Sequence, residues 1–225
     1  MYEPISPAPM FTTQEREWLL ARTLRRSGLS SVRDLDILDV GCGSGVDLQR
    51  FAIWGADTTR MAGIDLMDDR IAAAKVRVPA ADLHVGSAHD LPFRQGSFDL
   101  VIQFTLFSSI MNAEVRRAAA AEMVRVMRPG GRILWYDIRV VPRPTPNIHP
   151  IDERELEALF PGCEIDGHPS TLRWSILRRT VPTSRQLGIA LQRIPRLNSH
   201  LLAAIRPSHV IPSMPRLPTS RRGDG

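Results

Sequence analysis

The sequence predicts a doubly wound α/β domain: a mostly parallel, seven-stranded sheet with helices on both faces and a helical insertion before the last strand. Three observations carry the prediction. Short apolar runs alternate with helix-length segments from residue 36 to residue 138, the pattern of right-handed βαβ units whose strands are covered on both sides. The first of these runs breaks into glycines at alternate positions, "LDVGCGSG", at the bend where an open parallel sheet receives its ligand. No apolar stretch approaches the ~20 residues of a membrane span, and 43% hydrophobic with 24% charged residues is the composition of a globular domain.

Taken in order, "FTTQEREWLLARTLRRSGL" reads as a helix within residues 1–30. Its apolar positions Trp18, Leu19, Leu20 and Leu24 keep helical spacing, with Thr12 or Thr13 as N-cap and Gly28 as C-cap. "DILDV" is the first strand and "VDLQRFAIWGA" a helix ending at Gly55; "MAGIDL" is the second strand and "MDDRIAAAKVRV" a helix stopped by Pro79. "ADLHVG" and "FDLVIQF" are strands on either side of the loop "SAHDLPFRQGS". "NAEVRRAAAAEMVRVM" is a helix ended by "RPGG", and "RILWYDI" is the fifth strand. The proline-rich "VVPRPTPNIHP" is a connection, because proline removes the donors that regular elements need. After it come a helix, "DERELEALF", and a strand, "CEIDGHPSTL". "RWSILRRTVPTSRQLGIALQRIPRL" reads as two short helices split at Pro182, and "SHLLAAIRP" as the closing strand. Residues 171–197 are the expected lid, residues 1–207 form the single expected domain, and 208–225, rich in proline, serine and arginine, are expected to be disordered.

The formal charge is +5, almost all of the basic excess is arginine (Lys75 is the only lysine), and it is heaviest in the tail. A solvated surface is the better reading than a nucleic-acid site. Cys42 and Cys163 are far apart and carry no CxxC or Cys/His spacing, which argues against a structural zinc or a disulfide framework. The start, "MYEPISPAPM", has neither the basic stretch nor the apolar core of a secretion signal, so a cytoplasmic protein is expected.

Gly41, Gly43 and Gly45 remove the side chains that would keep a ligand off the main chain. Glycines at a strand-to-helix bend can be purely structural, but three further features share the same sheet edge. Asp65 ends the second strand about 20 residues on, where a carboxylate can accept both ribose hydroxyls. "GSAHDLPF" follows the third strand, where a loop can close over an adenine, and Gln103 ends the fourth. A dinucleotide site has the spacing GxGxxG; here the glycines alternate as GxGxG, which disfavours a nicotinamide oxidoreductase.

Together "ILDVGCGSG", "GIDL", "GSAHDLPF", "SFDLVIQF" and "MVRVMRPGGRILWYD" resemble the ordered motifs of the class I S-adenosylmethionine-dependent methyltransferases, over residues 36–137, and imply their Rossmann-like sheet. "QERE", "WGAD", "GIDLMDDRIAAA", "QFTLFSSI" and "LWYDIR" resemble, more narrowly, small bacterial methyltransferases of glycan or secondary-metabolite biosynthesis. The resemblance implies S-adenosylmethionine as cofactor and S-adenosylhomocysteine as product. It implies that Gly41, Gly43 and Gly45 pass under the methionine part, that Asp39 orders the amino group through the bend, and that Asp65 holds the ribose. Leu66 would lie against the adenine, Ala88 would supply a backbone hydrogen bond to it, and Gln103 would face the methionyl amino group. The family commonly has Asp where this chain has Ser87, a weaker partner for the adenine amino group.

Methyl transfer requires alignment, desolvation and, for a hydroxyl acceptor, removal of a proton. Asp137 and Tyr136, at the end of the fifth strand, are expected to face the crevice, Asp137 as base or hydroxyl ligand or else as a cap for the next turn. His149, in the proline-rich loop, is a candidate proton-handling group that can reach over the site, and Arg139 is a partner for an acceptor anion. Phe104, Phe107, Trp135 and Trp174 line an apolar pocket or belong to the core. "QFTLFSS" lacks the Asn/Asp-Pro-Pro-aromatic motif used on base amines, and neither cysteine sits where a cytosine C5 nucleophile is expected. A small-molecule acceptor is preferred, with no nucleic-acid partner, no metal and no membrane span; homodimerisation stays open, as does a non-catalytic cofactor-binding role.

Overall fold

The computed structural model describes residues 6–141, 143 and 145–208; the expectation of disorder for the tail falls, from 209 onward, outside the described residues. The strands are β1 (Ile37–Val40), β2 (Met61–Asp65), β3 (Asp82–Val85), β4 (Phe98–Phe104), β5 (Met127–Ile138), β6 (Cys163–Leu172) and β7 (Asn198–Pro207). They form one seven-stranded sheet in the order β3-β2-β1-β4-β5-β7-β6. The first five are mutually parallel, and β7 returns between β5 and β6, antiparallel to both. The chain runs outward from β1 to β3 and then crosses back to β4. The strand order therefore reverses between β1 and β4, which opens a crevice above their carboxyl ends.

Every residue of β1 and β2 is buried, as a parallel sheet covered on both faces requires. On one face, α1 (Pro7–Arg26), α2 (Val46–Ile53) and α3 (Asp68–Arg77) pack through Leu20, Leu48, Phe51 and Ile71 onto Ile37, Leu100, Ile102 and Leu134. On the other, α4 (Ala113–Val126) and α5 (Glu153–Leu159) pack through Ala119, Met123 and Leu156 onto Leu38, Val40, Val101 and Trp135. Alternate strand residues serve opposite faces, and each fully buried large side chain contributes about 2 kcal/mol. Exposed ion pairs such as Arg206–Glu164 at 2.6 Å contribute under about 1 kcal/mol, so packing holds the sheet.

Two element boundaries move. The first helix begins at Pro7, not at Thr12 or Thr13: Pro7 and Pro9 fall in its first turn, where a missing amide hydrogen costs nothing, and Thr12 lies inside, donating to the Ala8 carbonyl at 3.1 Å. The fifth strand begins at Met127, just before the run "RPGG", and takes in the residues expected to separate helix from strand. Phe98 pairs with Met127 and Leu100 with Arg132, so the intervening residues form an irregular bulge that Pro129 can occupy.

The insertion before β7 consists of α6 (Trp174–Thr180) and α7 (Arg185–Gln192), separated around Pro182 as the sequence predicts. Leu177 and Val181 dock against Ala8 and Phe11 of α1. Gly188 permits that approach: a Cβ there would meet Val181 at 2.8 Å and the Phe11 ring at 3.2 Å.

Candidate active site

A cleft of about 710 Å³ lies above the carboxyl ends of β1, β2, β3 and β4, within the size range of small-ligand sites. Its floor is the glycine bend. The amides of Gly41 and Cys42 both donate to the Ile64 carbonyl, at 2.8 and 3.0 Å, which ties the bend to β2. The Asp65 carboxylate closes the arrangement: one oxygen accepts the Gly43 amide at 3.0 Å and the other the Met67 amide at 3.0 Å.

The glycines are required for different reasons. A Cβ on Gly41 would collide with Leu106 at 2.9 Å, and one on Gly45 would press on the Ala74 backbone at 3.2 Å, where α2 crosses α3. Gly43, at φ +51°, would meet nothing within 4 Å. Its missing side chain borders the open cleft, so a Cβ there would occupy space that a ligand can use.

Gly41, Gly43, Asp65, Leu66, Ser87 and Ala88 all line this cleft. Leu66 is 70% exposed, an apolar surface without a protein neighbour to cover it. The Ser87 hydroxyl lies 2.5 Å from Nδ1 of His89. Gly45, Asp39 and Gln103 are not part of the lining. Gln103 was expected to face the crevice; it is instead fully buried, its carboxamide oxygen accepting the Leu106 amide at 3.1 Å, and it shapes the turn after β4 from below. Asp39 is also buried, with one carboxylate oxygen lacking any partner. Burial, reinforced by the nearby Asp65, pushes its carboxyl up to about 8, against a smaller opposing pull from Arg50.

The expectation that Asp137 and Tyr136 face the crevice is corrected. Asp137 is fully buried and accepts the amides of Phe107 at 2.9 Å, Ser108 at 3.3 Å and Ile138 at 2.7 Å. Its carboxylate holds the turn that carries Leu106 and is engaged by three backbone amides and by the Ser108 side chain. Tyr136 points to the opposite sheet face, 4% exposed, with its hydroxyl 2.7 Å from the Thr171 hydroxyl. Phe107 and Trp135 are core residues, whereas Phe104 borders the cleft. His149 is engaged by Glu155, Nε2 to carboxylate 2.8 Å. Glu155 also pairs with buried Arg116 at 2.9 Å, and Arg116 donates to the carbonyls of Ile110 at 2.6 Å and Met111 at 3.0 Å. His149 thus belongs to a chain of contacts that fixes the cleft rim at Ile110. Arg139 donates to the Pro195 carbonyl at 3.1 Å and pairs with Glu153 at 3.7 Å.

Other contributors were invisible in the sequence. Glu122 accepts the Leu91 amide at 2.8 Å, and Arg125 donates to the Phe93 and Leu91 carbonyls at 2.8 and 2.9 Å, which pins the loop "GSAHDLPF" to α4. Thr105, on the cleft wall, holds φ +58°, a rare conformation for a β-branched residue.

Comparison with known proteins agrees with this geometry. Residues 37–131 match the family model of a methyltransferase domain. A demethylmenaquinone methyltransferase of Renibacterium salmoninarum is 32% identical over 121 residues, 54% of this chain and 47% of that one. A dTDP-3-amino-3,4,6-trideoxy-alpha-D-glucopyranose N,N-dimethyltransferase of Streptomyces venezuelae is 32% identical over 103 residues, 44% of this chain and 42% of that one. The chain thus spans about half the length of these curated relatives. The crystal structure of an S-adenosylmethionine-dependent methyltransferase from Mesorhizobium loti superposes with a TM-score of 0.61 at 18% identity, covering 87% of this chain and 99% of that one. Residues 37–131, which carry the glycine bend, Asp65, the Ser87–Ala88 loop and β4, are thus similar to a methyltransferase domain, and the sheet as a whole shares the fold of the Mesorhizobium loti protein.

Proposed function

We propose that this protein transfers a methyl group from S-adenosylmethionine to a small-molecule acceptor, at an oxygen of a sugar or glycan precursor or of a secondary metabolite. The observation that carries the cofactor half is the Gly43 position. Its absent Cβ leaves open cleft beside a carboxylate, Asp65, that is itself fixed by two amides. The donor set suits a nucleoside with an amino-acid tail: Asp65 for the ribose hydroxyls, Leu66 for the flat adenine, Ser87 and the Ala88 backbone for its edge. Gly43 leaves room for the tail, and Asp39, beneath the bend, supplies a buried carboxylate oxygen with no partner of its own. When bound, S-adenosylmethionine supplies a methyl group on a sulfonium that leaves as a neutral thioether.

The chain's own task is then to align the acceptor and exclude water. Phe104, Leu106 and Ile110 give the cleft an apolar wall. Asp137, through the Phe107 and Ser108 amides, sets the turn that carries that wall, which makes it a positioning residue. The helices of residues 171–197, docked on α1, are the proposed lid. A small molecule is preferred over nucleic acid because the segment after β4 reads "QFTLFSS" and lacks the base-amine motif. The relatives' names span quinone and amino-sugar acceptors, so the oxygen acceptor rests on the narrower motif resemblance.

A second reading, a non-catalytic S-adenosylmethionine-binding protein, draws on one observation: the carboxylate and phenol at the end of β5 are both engaged by the protein. Screening sugar and metabolite acceptors for S-adenosylhomocysteine release separates the two. Acceptor-dependent release supports transfer, and cofactor binding without release from any acceptor supports the second reading.

A further inference from the structure

The ions on α1 do not balance. Glu15 pairs with Arg185 at 3.6 Å and Glu17 with Arg50 at 3.5 Å, and Arg50, 7% exposed, takes Asp47 as well. Arg16 lies between them in sequence and is partly buried, yet among the described residues no carboxylate stands within ion-pair distance of it. Its Nε is buried without a partner. Its guanidinium lies over the Tyr136 ring, 5.8 Å from the centroid, and its other charged or titratable neighbours, Arg50 and His200, supply no counter-charge.

That ring is a junction. The Phe104 ring, on the cleft wall, meets it edge-on at 6.1 Å, and the His200 imidazole stacks on it at 4.7 Å with 8° between the planes. Two threonines in left-handed backbone conformation hold it in place. Thr105, at φ +58°, donates its amide to the Tyr136 carbonyl at 2.8 Å, and Thr171, at φ +61°, shares a hydrogen bond with the Tyr136 hydroxyl at 2.7 Å. Strained β-branched residues persist where the surroundings over-determine them, and such sites cluster around ligands. A partly desolvated guanidinium without a counter-charge is costly, and its planar fork fits a carboxylate or phosphate.

We propose that Arg16, linked to the cleft wall through the Tyr136 and Phe104 rings, is an anion receptor taking a carboxylate or phosphate group, with Tyr136 and His200 as its aromatic support. The proposal rests on the cofactor reading only for which molecule bears the anion: the acceptor, or the amino-acid end of the cofactor.

The test compares the full chain with Arg16→Gln and Arg16→Lys, using S-adenosylhomocysteine, 5′-methylthioadenosine, which lacks the amino-acid carboxylate, and inorganic phosphate. Nucleoside binding is read by calorimetry, and phosphate binding by the His200 imidazole resonances at constant ionic strength. If Arg16→Gln weakens S-adenosylhomocysteine at least tenfold, leaves 5′-methylthioadenosine unchanged and Arg16→Lys recovers part of the loss, the cofactor carries the anion. If both nucleosides bind unchanged but phosphate shifts His200 only in the wild type saturated with S-adenosylhomocysteine, the acceptor carries it. If Arg16→Gln alters neither carboxylate nor phosphate recognition, the proposal is overturned. Failure of both nucleosides to bind the wild type, with an Arg16-dependent phosphate response intact, would sink the cofactor reading and leave the anion receptor standing. Should Arg16→Gln lose the fold, Arg16→Met keeps the aliphatic stem over Tyr136 and replaces it.

Discussion

Asp39 and Asp65 sit one strand apart, and the fold treats them in opposite ways. Asp65 is met by two backbone amides, while Asp39 is buried with one oxygen unpartnered and its carboxyl raised to about 8. At pH 7 Asp39 is therefore largely protonated, and a cationic ligand over the bend lowers its pKa and expels the proton. We expect up to one proton released on S-adenosylmethionine binding at pH 7, read by calorimetry in buffers of different ionisation enthalpy, and none in Asp39→Asn. The sign for stability follows from the same shift. A carboxyl raised in the folded state contributes stability that is full below its ordinary value of 3.8 and is lost as pH rises through about 8. Asp39→Asn should thus flatten the decline in melting temperature across that window, and an unchanged decline would show that Asp39 is not its source. Asp137 separates a positioning role from a catalytic one. Asp137→Ala strands the amides of Phe107 and Ser108 and should cost about 3 kcal/mol in urea denaturation. Asp137→Asn should keep turnover within about tenfold, where loss of a general base costs 10²–10⁴-fold. Ser87→Asp should tighten S-adenosylmethionine about fivefold in a titration, because a charged acceptor adds ~1 kcal/mol.

Between elements, the cleft rim depends on Arg116, which spans α4, α5 and the carbonyls of Ile110 and Met111. Arg116→Met leaves two carbonyls without their donor and a partly buried Glu155 with His149 as its remaining side-chain partner, and should cost about 3 kcal/mol while weakening S-adenosylhomocysteine binding; an unchanged affinity would show that the rim holds without it. No local pattern could announce this bridge, since its ends are 39 residues apart in sequence. The strands and helices were legible because each carries its own period and its own glycine or proline punctuation. What failed was local grammar under tertiary control: "RPGG" reads as a stop, yet β4 supplies partners that draw Met127 into the sheet. Tyr136 and Asp137 were legible as strand residues. Which of their groups the backbone would occupy was not, because the occupying amides belong to the turn after β4.

At the scale of the molecule, one topological reversal between β1 and β4 gathers the glycine bend, Asp65, the Ser87–Ala88 loop and the Phe104 wall around one cleft. That convergence was readable from motif order, since loops after parallel strands share an edge. The anion receptor was not readable. It depends on α1 lying against the antiparallel β6–β7 pair and on which carboxylate each arginine reaches. The central claim, that this cleft is an S-adenosylmethionine site, is tested most directly by calorimetric titration of the full chain with S-adenosylhomocysteine, alongside Gly43→Val and Asp65→Ala. Micromolar binding lost in both variants, with melting temperatures showing that each remains folded, is the result this account predicts. Absence of binding by the wild type, or undiminished binding by folded Gly43→Val, would contradict it.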